Sequence, residues 1–237
     1  MTKPEEEKLY EKLQYLYESG KFGEIISEYD LLSPETRFPG IKKLVGFSFY
    51  NQRNYDECRK IISELSEEDN VELRAYMAAY VDKDERKLLA IYRKFPHNPS
   101  VCNALVICAR NKGSSISLGT VRETLEITKD NSRISAHLFH NGGRYCLDQG
   151  RYAEALSYFL MADSKYDKKS YPDKGALFHW MSVAFERRGF IPSAWDASKA
   201  SEGYWKEACR ADPTNVKFRE NYENEKKRSS ELFFKKA

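Results

Sequence analysis

The sequence predicts an all-α protein built from consecutive helical hairpins, and three features of the chain indicate this fold class. Apolar or small residues recur three and four positions apart along most of the chain, as they do on the buried face of a helix. No segment shows a sustained alternation of apolar and polar residues, so no strand is predicted. All eight prolines fall between the proposed helices or within a first helical turn, where proline is tolerated.

The first two hairpins are predicted at about 5–33 and 41–66. Gly20 ends the first helix of the first hairpin, and a second helix begins at Phe22. In the next hairpin the second helix begins at Tyr55, which lies 33 residues after Phe22. The two hairpins therefore share one register, which indicates an internal repeat.

The middle of the chain continues the helical periodicity with weaker repeat features. Two hairpins are predicted at about 71–96 and 100–129, because Tyr55 and Tyr152 lie 97 residues apart, close to three periods of roughly 34 residues. These two hairpins lack the glycine and tyrosine found at the turns of the others. The sequence leaves open whether residues 71–128 form rigid repeats or a hinge.

The hairpin predicted at about 133–163 shows the repeat pattern best. Its first helix carries the small residue Gly143, which allows a close approach of two helices, and ends at Gly150. The inner face of its second helix carries four aromatic or small residues, Tyr152, Ala155, Phe159 and Ala162. This pattern resembles the tetratricopeptide repeat (TPR), a helix–turn–helix unit of about 34 residues.

A sixth hairpin is predicted at about 175–211, after a polar and turn-rich insertion at 163–174. A charged helix at about 214–235, poor in apolar residues, would cap the array. The resemblance implies that residues 1–237 form a single TPR-like α-α superhelix, a right-handed solenoid. In such a solenoid the first helix of each hairpin lines the concave face.

Composition narrows the classes of protein that the chain can belong to. The net charge is only +3, from 39 basic and 36 acidic residues, so a dedicated nucleic-acid binder is not expected. The five cysteines show no pairing framework and lie within apolar helical patterns, which favours reduced thiols. No apolar run reaches 18 residues, and the acidic N-terminal segment has no hydrophobic signal core. We therefore expect a cytoplasmic protein, with the nucleus as the alternative, and no membrane partner.

Few residue patterns point to bond chemistry. His137 and His140 stand one helical turn apart with Cys146 on the same helix, but the His-x-x-x-His or paired Cys-x-x-Cys spacing of a closed zinc site is missing. The chain has no Gly-x-Ser-x-Gly elbow and no cysteine in a recognisable catalytic context. We expect no metal, no cofactor and no enzymatic activity.

The resemblance implies that the function lies in binding another protein. We expect an adaptor or complex-assembly subunit that holds an extended or helical partner segment in the concave groove. The candidate groove residues are polar residues of the predicted first helices, Asn51, Asn103, His140, Asn141, Arg144 and His179. A second candidate docking surface consists of three aromatic residues of the last hairpin, Trp195, Tyr204 and Trp205. That surface is also the candidate interface for a homo-oligomer.

One alternative is an RNA-associated helical-repeat protein. It would use the basic loop 165–174, where lysines alternate with tyrosines, and the basic tail at 226–236. Glutamates are interleaved with the lysines of the last helix, which favours an ordinary solvated helix face.

The other alternative is a co-chaperone that binds the C-terminal peptides of heat-shock chaperones. TPR domains of this kind hold the terminal carboxylate with Lys, Asn and Arg side chains of successive first helices. Asn141 falls at a clamp-like position, with Arg144 and Lys217 as candidate partners. Lys43 has no asparagine four residues further on, so the predicted clamp is incomplete.

Overall fold

The structure, a computed structural model, describes residues 3–111, 113–129 and 136–236. Within these ranges the chain forms helices joined by turns and bends, with no strand. Most helices that follow one another in sequence pack against each other as pairs. The all-α, TPR-like class is therefore confirmed. No helix in these ranges is both long and apolar enough to cross a membrane.

The chain divides into two compact units, Met1–Ala104 and Leu105–Ala237. The boundary lies within α7 (Pro99–Ala109), in the segment whose rigidity the sequence leaves open. The first unit also contains α1 (Lys3–Glu18), α2 (Phe22–Asp30), α3 (Pro39–Asn51), α4 (Tyr55–Ser63), α5 (Glu67–Tyr76) and α6 (Glu85–Lys94). The second unit also contains α8 (Leu118–Thr128), α9 (Ala136–Asp148), α10 (Tyr152–Lys165), α11 (Tyr171–Arg187), α12 (Ile191–Ala211) and α13 (Val216–Lys236). From α1 to α12, odd-numbered helices are the first helices of the hairpins.

The core of the first unit lies between its first four helices. Leu13, Ile25 and Ile41 are fully buried there, because the apolar stripes of α1, α2 and α3 face one another. Gly46 lets α3 approach α5 closely, since a Cβ atom at this position would lie 2.6 Å from Leu73 Cδ2. The Leu73 side chain can therefore pack directly against the backbone of α3 at this point.

The first unit departs from a regular hairpin at the end of α5, where Met77–Val81 form a π-helical turn. The amide of Asp82 donates to the Met77 carbonyl at 2.9 Å, five residues back. Lys83 then adopts a left-handed backbone with φ +52° and ends the turn. Tyr80 is left 36% exposed by this arrangement. Single π turns of this kind are frequent at functional sites.

In the second unit α9 and α10 form the hairpin whose repeat pattern is clearest in the sequence. Gly150 has φ +72° and makes the turn between them, a conformation that glycine adopts readily. A Cβ atom on Gly143 would lie 2.5 Å from the Phe159 ring and 3.1 Å from the Ala155 carbonyl oxygen. The small residue is therefore required by close packing, as the sequence indicates.

The insertion between α10 and α11 is shorter in the structure than the sequence predicts, at 166–170 instead of 163–174. Pro172 lies in the first turn of α11, where its missing amide would have no helical partner. Lys174 is buried, and its Nζ donates to Asp163 Oδ1 at 2.7 Å across the two helices. Residues that the polar composition assigns to a loop therefore belong to helices.

The charge density of the last helix, α13, predicts a solvated cap, but the helix packs against the preceding hairpin through buried polar groups. Glu225 is only 3% exposed. Ser198 Oγ on α12 donates to Glu225 Oε1 at 2.6 Å, and His179 Nδ1 on α11 lies 2.7 Å from Glu225 Oε2. Buried polar groups of this kind hold their position only when they are paired. A polar network therefore fastens α13 to the preceding hairpin.

Candidate protein-binding site

In the second unit, the first helices α9 and α11 bring an arginine and a tryptophan together. Arg144 lies on α9 one turn after His140 and Asn141, so the helical period places its side chain next to each of theirs. The Arg144 guanidinium carbon lies 4.3 Å from the centre of the Trp180 ring of α11. This stacking fixes the direction of the guanidinium plane.

Among the described side chains, no carboxylate forms an ion pair with Arg144, and the nearby Asp148 offsets its charge only in part. Its Nε is buried and has no hydrogen-bond partner among the described residues. Burial lowers the pKa of the Arg144 guanidinium, and the positive charge of Arg110 lowers it further. Asp148, the acidic residue nearby, pairs instead with Arg110, with its Oδ2 2.9 Å from Arg110 Nε. A carboxylate brought by a partner would be favoured at this position.

His140, a predicted groove residue, is buried and belongs to the packing of the second unit. Its Nδ1 lies 3.0 Å from the Tyr166 hydroxyl, which also lies 3.0 Å from His137 Nδ1. Burial lowers the pKa of His140 to about 3, and the charge of Arg144 contributes to the shift. His140 is therefore neutral near pH 7 and supports the face instead of carrying charge on it.

The two other predicted groove residues of the second unit, Asn141 and His179, lie in different surroundings. Asn141 is half-buried on α9, one helical turn before Arg144. His179 points to α13, where its Nδ1 pairs with the buried Glu225 carboxylate. Arg144, Asn141 and His140 therefore share α9, with Trp180 stacked on Arg144, while His179 lies in the α13 contact.

In the first unit, Asn51 lies at an exposed position at the end of α3. Its Nδ2 donates to the Phe47 carbonyl at 2.8 Å and reaches the Tyr17 hydroxyl at 3.4 Å. Asn103 is half-buried on α7, one residue before the boundary between the units. Asn51 therefore lies beside the Tyr17 hydroxyl of α1.

A row of aromatic rings crosses the first helices of the first unit. The ring centres are 6.3 Å apart for Tyr17 and Phe47, 6.0 Å for Phe47 and Tyr76, and 5.7 Å for Tyr76 and Tyr80. Sequence reasoning missed this aromatic row. The available signal was one aromatic residue in each of α1, α3 and α5 at a spacing of about 30 residues. A half-buried aromatic row of this kind can bind apolar side chains of a partner.

The second predicted docking surface is largely internal. Trp205 is 8% exposed, and its ring lies over Gly175 and 6.0 Å from the Phe218 ring. Tyr204 is half-buried and stacks on Phe178 with ring centres 5.3 Å apart. Both residues therefore fill space between α11, α12 and α13. Trp195 is the member of this set that contacts an exposed aromatic patch on α13, through Phe233.

The structure also places the residues of the two alternative functions. Within the segment 165–174, Lys165 ends α10 and Lys174 is buried against Asp163, which leaves Lys168 and Lys169 as the exposed lysines. The segment is therefore not the continuous basic loop that the sequence predicts. Of the clamp candidates, Lys43 pairs with Glu72 at 2.5 Å and Lys217 is exposed on α13.

The residues considered for a metal site are also placed. Both His137 and His140 direct Nδ1 to the Tyr166 hydroxyl. Cys146 is fully buried, and burial raises the pKa of its thiol to about 12. In the described ranges, no three His, Cys, Asp or Glu side chains are grouped so that they could hold a metal ion.

The paired helices and the faces of their first helices define a TPR-like helical-repeat protein. No protein-family model matches the chain, and no curated protein matches it. Among solved structures the chain is similar to MamA MSR-1 C2, with 13% sequence identity, a TM-score of 0.37, and coverage of 84% of this chain and 95% of that chain.

Proposed function

We propose that the chain is a non-catalytic adaptor or complex-assembly subunit that binds a segment of a partner protein along the first helices of its hairpins. The observation that carries this proposal is the Arg144–Trp180 pair on α9 and α11. The guanidinium is held on the ring while its Nε has no hydrogen-bond partner among the described residues. Arginine and tryptophan together are typical of the few residues that dominate protein interfaces.

The pair can recognise two features of a partner at once. A carboxylate or a carbonyl oxygen of the partner can accept from Arg144, and the adjacent Trp180 ring can contact an apolar side chain. Asn141, one turn before Arg144, can bond a backbone group of the segment. In the first unit, the aromatic row with Asn51 offers a separate surface of the same character.

RNA binding receives less support from the described side chains. Lys235 and Arg228 of the basic tail both pair with Glu186, and Lys174 pairs with Asp163. These cations are already neutralised within the second unit, which reduces what they can offer to phosphates. The carboxylate clamp of a co-chaperone also receives less support, because Lys43 is neutralised by its ion pair with Glu72.

The test is affinity capture from native extract with the wild-type chain and two double variants. The site variant is Asn141→Ala/Arg144→Glu. The control variant is Ser157→Ala/Lys206→Glu, at exposed positions of the second helices α10 and α12, with the same change in charge. Circular dichroism should show that all three chains are folded.

We expect a protein partner to be retained by the wild type and the control variant and to be lost by the site variant. Titration with the purified partner should show at least a roughly tenfold weaker affinity for the site variant, as expected when an interface hot spot is removed. Equal capture by all three chains would contradict binding on the α9–α11 face.

A further inference from the structure

An exposed aromatic patch lies between α12 and α13. Phe234 is 79% exposed and Phe233 is 52% exposed, and Trp195 of α12 lies beside them with its ring centre 6.1 Å from that of Phe233. The three rings border a cavity of about 250 Å³ together with Lys199, Ser229 and Ser230. Two phenylalanines exposed side by side are unfavourable in water, and such clusters mark interaction surfaces. We call these three rings the α13 aromatic patch.

The surroundings of the α13 aromatic patch are basic. The segment 226–236 contains five basic residues and one acidic residue. Lys236 Nζ lies 4.2 Å from the centre of the Trp195 ring, and Lys227 is exposed on α13. Neither of these two lysines forms an ion pair with any residue that the structure describes. An occupant of the patch should therefore be acidic as well as aromatic or apolar.

A groove of the opposite charge lies between α1 and α3 in the first unit. It has a volume of about 410 Å³ and is lined by Glu6, Glu7, Tyr10, Glu11, Phe38 and Gly40. This volume is within the range of pockets that hold a bound ligand group. We call it the α1–α3 groove.

The floor of the α1–α3 groove is aromatic and its rim is acidic. Tyr10 is 37% exposed, and the ring centres of Tyr10 and Phe38 are 6.3 Å apart. Gly40 keeps the floor open, since a Cβ atom there would lie 3.2 Å from the Tyr10 ring. Among the side chains that the structure describes, no ion pair engages Glu7 or Glu11. The α1–α3 groove is therefore both aromatic and acidic, as a binding partner of the α13 aromatic patch should be.

We propose that the α13 aromatic patch of one copy of this chain docks into the α1–α3 groove of a second copy. Phe234 packs onto the Tyr10 and Phe38 rings, and Lys236 pairs with Glu7 or Glu11, because Lys235 is already engaged by Glu186. Aromatic burial supplies most of the binding energy, and the charges select the partner and its orientation. This proposal is independent of partner binding on the α9–α11 face.

The two docking surfaces are different, so the interface is heterologous. Each copy carries one patch and one groove, and a copy bound through its patch still has a groove to offer. Such contacts produce head-to-tail rings or open chains, or a closed dimer when two copies dock reciprocally through two identical patch–groove contacts. The mean mass in solution should therefore rise continuously with protein concentration and fall with added salt.

Complementary variants distinguish this arrangement from other forms of association. Phe234→Ala removes the most exposed ring of the α13 aromatic patch and leaves the α1–α3 groove intact. Glu7→Lys/Glu11→Lys reverses the charge on the rim of the groove and leaves the patch intact. Glu7 and Glu11 lie beyond the first turn of α1, so their replacement does not oppose the helix dipole there. The matched controls are Leu160→Ala, at a position 59% exposed on α10, and Glu123→Lys/Glu220→Lys, at exposed positions.

The experiment is sedimentation equilibrium of the full chain over a wide concentration range. Wild type and controls should associate, and each patch or groove variant alone should bind at least roughly tenfold more weakly. Mixing the patch variant with the groove variant should restore association, but only as a one-to-one complex, because one intact patch meets one intact groove.

Three results would overturn the proposal. A wild-type chain that stays monomeric at every concentration excludes it. A groove variant that still dimerises shows that the patch binds another patch. Monomers that sediment with anionic vesicles in a Phe234-dependent manner show that the patch binds a lipid surface.

Discussion

At the scale of single residues, the second unit depends on positions where no side chain can be added. The Phe159 ring and the Ala155 carbonyl occupy the space next to Gly143, so two helices touch through a glycine. Gly203 on α12 is the counterpart, since a Cβ atom there would meet nothing within 4 Å. All three tryptophans lie in the second unit, so tryptophan fluorescence reports the unfolding of this unit alone.

We predict that Gly143→Ala lowers the free energy of unfolding of the second unit by about 2 kcal/mol, because the added methyl overpacks the α9–α10 contact. Gly203→Ala should raise it by about 0.5–1 kcal/mol, because alanine is the better helix former. Urea unfolding followed by tryptophan fluorescence measures both. Equal effects of the two substitutions would show that α9 and α10 are not in close contact.

His140 makes the stability of the second unit depend on pH. Burial holds its pKa at about 3, against an ordinary value of about 6.5. The unfolded chain therefore takes up a proton first as the pH falls, and stability is lost from about pH 6.5 down to about pH 3.

We predict that lowering the pH from 7.5 to 5 destabilises the wild-type second unit by about 2 kcal/mol through His140. The variant His140→Gln should lose correspondingly less over this interval. Urea unfolding at the two pH values measures the difference. The same pH dependence in both chains would show that His140 titrates normally and is not buried.

At the scale of elements, the surface between α11, α12 and α13 shows why a highly charged helix can pack firmly. The Glu225 carboxylate accepts from Ser198 of α12 and pairs with His179 of α11. The Glu186 carboxylate of α11 accepts hydrogen bonds from Arg228 and Lys235 of α13. Charges that suggest a solvated cap in the sequence are thus used for attachment to the neighbouring helices.

We predict that Glu225→Ala destabilises the second unit by about 2–3 kcal/mol, because it leaves buried donors without an acceptor. Glu231→Ala, on the exposed side of the same helix, should change stability by less than about 0.5 kcal/mol. Urea unfolding gives the values, and limited proteolysis shows whether α13 is released. Similar small effects of both substitutions would mean that α13 is not anchored through Glu225.

Much of the element order could be predicted from periodicity, because Gly20, Gly150 and the prolines mark the helix ends directly. The π turn at Met77–Val81 could not, since it is an extra residue within a helix and leaves no local signal. The loop at 163–174 was predicted too long because polar residues there pair between helices, as Lys174 does with Asp163.

The candidate site was predictable only in part, because contacts between side chains of different helices leave no local signal in the sequence. Arg144 and Asn141 follow from their positions on a first helix, but their surroundings depend on which residue of the next helix meets them. The stacking of Arg144 on Trp180 and the pairing of His179 with Glu225 are contacts between residues distant in sequence. Trp205 was placed on the surface by its position beyond the repeat, whereas Gly175 creates the space that buries it.

At the scale of the whole molecule, the reactivity of the five cysteine thiols reports how well each unit is packed. Cys58 and Cys102 lie in the first unit and Cys108 and Cys146 in the second, and all four are buried. Burial raises the pKa of Cys58 to about 11 and that of Cys102 to about 12, so their thiolate forms are scarce at neutral pH. Cys209 is the partly exposed thiol.

We predict that a thiol reagent modifies Cys209 rapidly in the native chain and the other four cysteines only when their units open. Mass spectrometry of digested peptides as a function of reaction time identifies each site. The variant Cys209→Ser should lack the rapid phase. Rapid modification of Cys58 or Cys146 in the native chain would contradict the packing described for its unit.

The measurement that tests the central claim most directly is hydrogen exchange of the chain with and without its captured protein partner. Binding along the first helices predicts slower exchange in α9 and α11 of the second unit, centred on Arg144 and Trp180, with α10 and α12 unchanged. The Asn141→Ala/Arg144→Glu variant should show no such protection. Protection of α10 or α12 while α9 and α11 exchange as before would contradict the account.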